Sequence, residues 1–235
     1  TIHGPITIPA VGDFSGKLFK GTPNAVPVTV SAGAQVDNCS YEVVQLSGQL
    51  SGVSLLRDVL IVNITDFNGI AENCVIAGGA TCSGVGDTLF INCYSSVDVT
   101  TVPTIDFGGA AGPDVVFRGY YGDIKFANLN RATAKISMDL ASGDVVIDST
   151  ILDGTIVVRG QGTIVNNSTG GTVEDDLLQT VDVQYASFEN NSVWVDTTSA
   201  NTGVKYPVGT VRAPVNNGVD AQLIADDRGL YNLTF

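Results

Sequence analysis

Positive charge is what this chain has least of. Against 24 Asp and Glu stand 11 Lys and Arg, a net charge of -13. Nucleic acid and anionic membrane surfaces both select basic patches, so neither is expected as a partner. Partners should be neutral, cationic, or further copies of the chain. Histidine is nearly absent: His3 is the single one, and imidazole chemistry within one chain would rest on it. Gly-x-Ser-x-Gly, a phosphate-binding Gly-rich loop ending in Lys-Ser or Lys-Thr, and His-Glu-x-x-His are all missing. No cofactor is therefore expected. No stretch approaches the ~20 apolar residues of a membrane span, and Thr1-Ile2-His3-Gly4-Pro5 lacks a basic region followed by an apolar one. Neither membrane insertion nor an export signal is read here.

Close cysteine pairs are lacking too. Zinc sites draw Cys or His in tight spacings, whereas the four cysteines stand at 39, 74, 82 and 93. Buried thiols explain Cys39, Cys74 and Cys93, with disulfides as the alternative; Cys82 falls in a Gly-rich stretch and is expected in a loop. The acids Glu174, Asp175 and Asp176 do not form a twelve-residue calcium loop with Gly at the sixth place. No metal site is expected.

Present instead are Gly, Val, Thr, Ser and Asp, with only 15% charged residues. That composition favours strands and turns. One pattern recurs: Val36-Asp37-Asn38-Cys39, Leu56-Arg57-Asp58-Val59, Ala71-Glu72-Asn73-Cys74 and Phe90-Ile91-Asn92-Cys93. Its third positions are separated by 20, 15 and 19 residues, which suits coils of a β-solenoid with unequal loops. Each coil would bury the Cys or Val and place Asn or Asp at a corner, where side-chain amides could bond up the ladder.

Short strands bounded by Gly, Pro, Asn or Asp are expected at Ile6 to Ile8, Lys17 to Phe19, Val26 to Val30, Val97 to Thr101, Thr104 to Phe107, Val115 to Arg118, Asp123 to Phe126, Ala134 to Leu140 and Val145 to Ile147. Closing strands follow around Thr155 to Arg159 and Thr163 to Val165. The fold class read from this is all-β: a parallel right-handed β-helix over residues 1–167, then a helix-strand connector over 168–204 and a short α/β module over 205–235. Thr172 with Glu174, Asp175 and Asp176 reads as the start of a short helix, and Val181 to Phe188 and Ser192 to Val195 as strands. Asn217 is expected to cap a helix with Val219, Leu223 and Ile224 on one face and Gly229 as its stop.

Two stretches carry a resemblance. Residues 139–167, Asp-Leu-Ala-Ser-Gly-Asp-Val-Val-Ile-Asp through Gly-Thr-Ile-Val-Val-Arg-Gly-Gln-Gly, resemble closing coils of β-helices in tailed-bacteriophage virion proteins. Residues 205–235, with Tyr-Pro-Val-Gly-Thr, Pro-Val-Asn-Asn and Arg228-Gly229-Leu230, are similar to a segment that leads into such β-helices. Here that segment follows the β-helix, which leaves open a tandem array, a piece of a longer protein, or a rearrangement. The resemblance implies a virion location, in a tail fibre, tail spike or other appendage. It further implies a homotrimeric rod that contacts other virion proteins and attaches to host surface polysaccharide. It also raises an alternative, a polysaccharide depolymerase acting through paired surface carboxylates. Candidate acids are Asp106, Asp114, Asp123, Asp139, Asp144, Asp148 and Asp153, with Arg118 and Arg131 nearby; turn formation is the competing use of such residues. Tyr120, Tyr121 and Asp123 are the candidate glycan contacts, because aromatic faces stack on sugars and a carboxylate bonds hydroxyls; packing competes for the tyrosines. Trp194, in an alternating strand, is expected in a core or an interface.

Overall fold

The computed structural model describes residues 1–22, 26–82, 87–96, 102–111, 113–177, 192–204, 208–211, 213–228, 230 and 232–235. The expected strands over 97–101 and 181–188, the pair Tyr206-Pro207 and the stop Gly229 lie outside them. The chain divides into two compact units, Thr1–Leu178 and Gln179–Phe235.

In chain order the strands of the first unit are β1 (Ile6–Ile8), β2 (Leu18–Lys20), β3 (Val26–Val30), β4 (Ser40–Glu42), β5 (Val44–Gln49), β6 (Val53–Arg57), β7 (Leu60–Glu72), β8 (Val75–Cys82), β9 (Thr88–Ile91), β10 (Tyr94–Ser95), β11 (Thr104–Gly109), β12 (Val115–Tyr121), β13 (Ile124–Leu129), β14 (Lys135–Ser142), β15 (Asp144–Ile147), β16 (Thr155–Gly160), β17 (Thr163–Asn166) and β18 (Thr172–Leu177). Most pair in parallel with the strand two places on, such as β1 with β3, β2 with β4 and β14 with β16. That is the connectivity of a coil that supplies two strands per turn and stacks the next turn above. The unit is a parallel β-solenoid of about eight turns. One face is built from β2, β4, β6, the second half of β7, β9, β12, β14, β16 and β18. The other is built from β1, β3, β5, the first half of β7, β8, β11, β13, β15 and β17.

The recurring Asn or Asp marks a corner, for a backbone reason. Asp58, Asn73 and Asn92 have φ of 51°, 54° and 50°, the left-handed region that these two residue types tolerate best among non-glycines. Their amides donate to the coil above: Asp58 N to Glu72 O at 3.1 Å, Asn73 N to Ile91 O at 2.9 Å and Asn92 N to Arg118 O at 2.8 Å. What climbs the corner is thus the main chain, rather than the side-chain amide ladder expected from the pattern. The first copy of the pattern also belongs elsewhere. Asn38 shares the conformation at φ 55°, but Cys39 O accepts from Leu55 N, which places it at the opposite corner. Its place in the column is taken by Val43, at φ 54°, whose amide donates to Arg57 O at 3.1 Å. At Gly119 and Gly160 the same corner is made by glycine at φ 67° and 108°. A Cβ on Gly160 would lie 1.9 Å from Leu140 O, so backbone contact there allows nothing larger.

Alternation along each strand then sends every second side chain inward. On the first face Phe19, Tyr41, Leu56, Ala71, Phe90, Phe117, Met138 and Val158 stack in register, all buried except the half-buried Phe19 of the first coil. Phe90 and Phe117 stack at 4.7 Å between ring centroids, and Phe117 and Phe126 at 5.3 Å. All four cysteines are free and buried. Cys82 is no loop residue: it closes β8 opposite Phe67, inside the core, and burial pushes its thiol pKa up.

The solenoid continues past the Asn166 to Gly171 break. Thr172–Leu177, expected as a helix start, is the strand β18 paired along its length with β16. A coil beneath it offers a ready template of unpaired groups, and that outweighs the local capping pattern. Its inward position is Asp175, exposed and accepting from the Leu177 amide, so the apolar column ends in a carboxylate.

The second unit pairs β19 (Ser192–Trp194) in parallel with β20 (Asn232–Thr234) and packs helix α1 (Gly218–Arg228) on them. Asn217 caps α1 as expected, accepting from the Asp220 amide at 2.8 Å. The buried helix face, however, is Ala221, Ile224 and Ala225; Val219 and Leu223 are 72% and 53% exposed.

Candidate functional site

The expected glycan contacts separate. Tyr120 follows the Gly119 corner and points inward, 1% exposed, its ring edge-on to Phe117 at 5.9 Å. Burial pushes its phenol pKa up. It belongs to the core and cannot touch a ligand, which corrects the expectation from sequence. Tyr121, one residue on, points outward and is 53% exposed. Its register partner one coil below is Tyr94, also exposed at 44%. Below Tyr94 the column continues through its partner Val75 to Leu60 and Gln45, all half-buried, and above Tyr121 stands Ser142.

Strands stack ~4.8 Å apart, so Tyr94 and Tyr121 present two aromatic groups at neighbouring heights on a rigid wall. Asp123 is exposed close beyond Tyr121, and its Oδ1 accepts from the Asp144 amide at 2.9 Å. One carboxylate oxygen is thus engaged by the next coil. The set the structure assembles is Tyr94, Tyr121 and Asp123.

Sequence reasoning missed Tyr94, although a signal was there. Asn92-Cys93-Tyr94 and Gly119-Tyr120-Tyr121 are the same corner, inward, outward triplet, visible once Gly119 is aligned with Asn92.

The expected catalytic acids are mostly engaged by neighbouring groups, and Asp106, Asp148 and Asp153 each accept from an amide one or two residues on, as turn formers do. Asp106 accepts from the Gly108 amide and Asn128 Nδ2; Asp144 accepts from Thr163 Oγ1; Asp153 from the Gly154 amide. Asp148 accepts from the Thr150 amide and hydroxyl and pairs with Lys125 Nζ at 2.6 Å. That ammonium, with the Thr150 bonds, holds the Asp148 carboxyl down to about 2. Asp139 lies in an outer column of the first face opposite Arg159.

Asp114 lines a groove, an open depression of about 570 Å³ on the first face with Asp87, Lys135, Thr155 and Glu174 among its walls. Asp87 and Glu174 are not among the expected catalytic acids. Their spacing does not suit a glycosidase. Asp87 precedes Thr88, whose partners run upward through Val115, Ile136 and Ile156 to Val173. Glu174 therefore lies four coils above Asp87, roughly 19 Å at the strand spacing, beyond the roughly 5–9.5 Å of paired acids. Asp87 and Asp114 are one coil apart, but Asp114 Oδ1 is taken by the Arg131 guanidinium and the Lys135 amide.

In the second unit, Trp194, Val195, Val211, Pro214 and Phe235 line a groove of about 420 Å³, and the Trp194 indole N–H is buried without a partner. Trp194 is half-buried, at the rim of that unit's core. Among the described residues no group of His, Cys, Asp or Glu is arranged to hold a metal, and no helix is long and apolar enough to cross a membrane.

No family model matches the chain, and comparisons with curated proteins and with solved structures likewise return no match.

Proposed function

We propose that this chain is a structural or receptor-binding component of a bacteriophage particle. In this reading the β-solenoid is a stiff, self-associating rod that holds a glycan-binding column against the host surface. The observation that carries the reading is Tyr94 beside Tyr121, two exposed aromatics in register on a wall fixed by parallel strands. About half of each tyrosine stays open to solvent, and flat aromatic faces suit the apolar faces of sugar rings. Two adjacent coils would engage successive sugars of a chain running along the rod, with Asp123 accepting from hydroxyls. The similarity of residues 139–167 and 205–235 to phage virion proteins supports the location, and the scarcity of charge suits a neutral polysaccharide.

The test is binding of the full chain to purified capsular and O-antigen polysaccharides from a bacterial panel. Tyr94→Ser with Tyr121→Ser is expected to weaken binding to the best polysaccharide at least tenfold, about 1.4 kcal/mol. Circular dichroism and melting should stay unchanged, since both side chains project from the wall. Full binding by the double variant, or none by the parent chain to any member of the panel, would sink the reading.

A further inference from the structure

The outer wall of the first face carries two columns of side chains whose order along the rod is informative. Strand registers link Lys20 to Glu42, Glu42 to Arg57, Arg57 to Glu72, Glu72 to Ile91 and Ile91 to Arg118. Arg118 and Asp139 directly follow the paired Phe117 and Met138, and Asp139 pairs with Arg159 and Arg159 with Asp176. Read upward, the column is cation, anion, cation, anion, Ile91, cation, anion, cation, anion. Beside it runs Leu18, Ser40, Leu55, Ile70, Leu89, Val116, Ser137, Val157 and Glu174. Leu18 and Ile70 in it are 57% and 40% exposed.

Part of this order serves the chain itself. Lys20 and Glu42 pair at 2.8 Å, Arg57 and Glu72 at 3.2 Å, Arg159 and Asp176 at 3.3 Å, and opposite charges on neighbouring strands stabilise a sheet modestly. Internal pairing asks only that neighbours differ in sign. It does not ask that every pair place its cation first, nor that an uncharged rung divide the pairs evenly. Those two features together make the column antisymmetric: turned end for end, every cation falls where an anion stood.

We propose that this face binds a second copy of the chain, face to face and antiparallel, about a two-fold axis crossing the coil of Leu89 and Ile91. That operation lays each column against itself in reverse, as an isologous contact requires. Lys20 then meets Asp176 of the second copy, Glu42 meets Arg159, Arg57 meets Asp139, and Glu72 meets Arg118, each contact occurring twice. At the axis Leu89 and Ile91 meet their own counterparts, and Ile70 meets Val116, so apolar surface is covered at the centre with ion pairs toward both ends. Complementary charges of this kind set partner and register more than raw affinity. In-register parallel packing of the same column would set like charge against like at every charged rung. The inference stands on this ladder and is independent of what the tyrosine column binds.

The experiment is the solution mass of the full chain by analytical ultracentrifugation, compared with charge-inverted variants. The parent chain is expected to be a dimer at low ionic strength, dissociating as salt shortens the screening length below ~10 Å. Arg159→Asp with Asp176→Arg keeps the internal pair but sets like charges against Glu42 and Lys20 of the second copy; the dimer should weaken at least tenfold. The mirror inversion, Lys20→Glu with Glu42→Lys, should do the same, and the two inversions combined should restore the parent affinity. A parent chain that is monomeric, or trimeric as the phage resemblance implies, overturns the proposal. So does a dimer indifferent to either inversion, as a parallel pair centred on the Leu89 column would be, since Arg159 and Asp176 would then face Thr155 and Thr172. Glycan binding by a monomer would leave the functional reading standing and this one refuted.

Discussion

Val43 shows how strictly the corner column is set by backbone geometry. It holds φ 54° where the coils above use Asp58, Asn73 and Asn92, and a β-branched side chain is the least suited to that conformation. Val43→Asn should therefore raise stability by about 1 kcal/mol, read as a higher urea midpoint at unchanged slope; a lower midpoint would show that Val43 packing outweighs its strain. The Lys125 and Asp148 pair gives a second residue-scale expectation. Lys125 and the Thr150 bonds depress the Asp148 carboxyl from 3.8 to about 2. A depressed acid contributes stability that is fully present above its unfolded pKa and is lost as pH falls through the folded one. The stability difference between the parent chain and Lys125→Met should be constant above pH ~5 and shrink progressively as pH falls toward ~1. A difference undiminished at pH ~1, or already gone at pH ~4, would contradict the pairing.

Within the elements, stability concentrates where rings from successive coils meet. Phe117 stacks on Phe90 at 4.7 Å and on Phe126 at 5.3 Å, and meets Tyr120 edge-on at 5.9 Å. It is 1% exposed, and the stacked coils have little freedom to collapse on a cavity. Phe117→Ala should cost ~3–5 kcal/mol, whereas Phe19→Ala, in the first coil and only half-buried, should cost clearly less. Equal losses in chemical denaturation would argue against a core graded along the rod. The strands themselves were legible because apolar residues alternate between Gly, Asn and Asp: Ile6–Ile8, Val26–Val30 and Val145 to Ile147 stand where the alternation placed them. Thr172–Leu177 was not legible as a strand, because its acids mimic a helix start and its real partner is β16, supplied by the stack below.

Across the whole solenoid each coil touches only its neighbours, so stability should rise from the ends toward the middle. Amide exchange should be slowest in the coils of Phe90 and Phe117 and fastest in β1 and β18, the outermost strands of their stacks. Uniform protection would indicate a single cooperative block. The sequence by itself determined that this would be a parallel β-solenoid. Period-two alternation, glycine-bounded strands and the Asn or Asp corners are local features, and each acts through its own backbone conformation. It also singled out Tyr120, Tyr121 and Asp123 together, without telling the inward tyrosine from the outward one. Only the tertiary structure decided which residues share a column. The coils differ in length, with corners at Val43, Asp58, Asn73, Asn92 and Gly119 separated by 15, 15, 19 and 27 residues. Without the register no spacing rule could set Tyr94 beside Tyr121, withdraw Tyr120 into the core, or line up Lys20 through Asp176 as one ladder. A one-residue slip sends a side chain to the other face of the wall, and here the register is fixed by how each coil stacks on the one below.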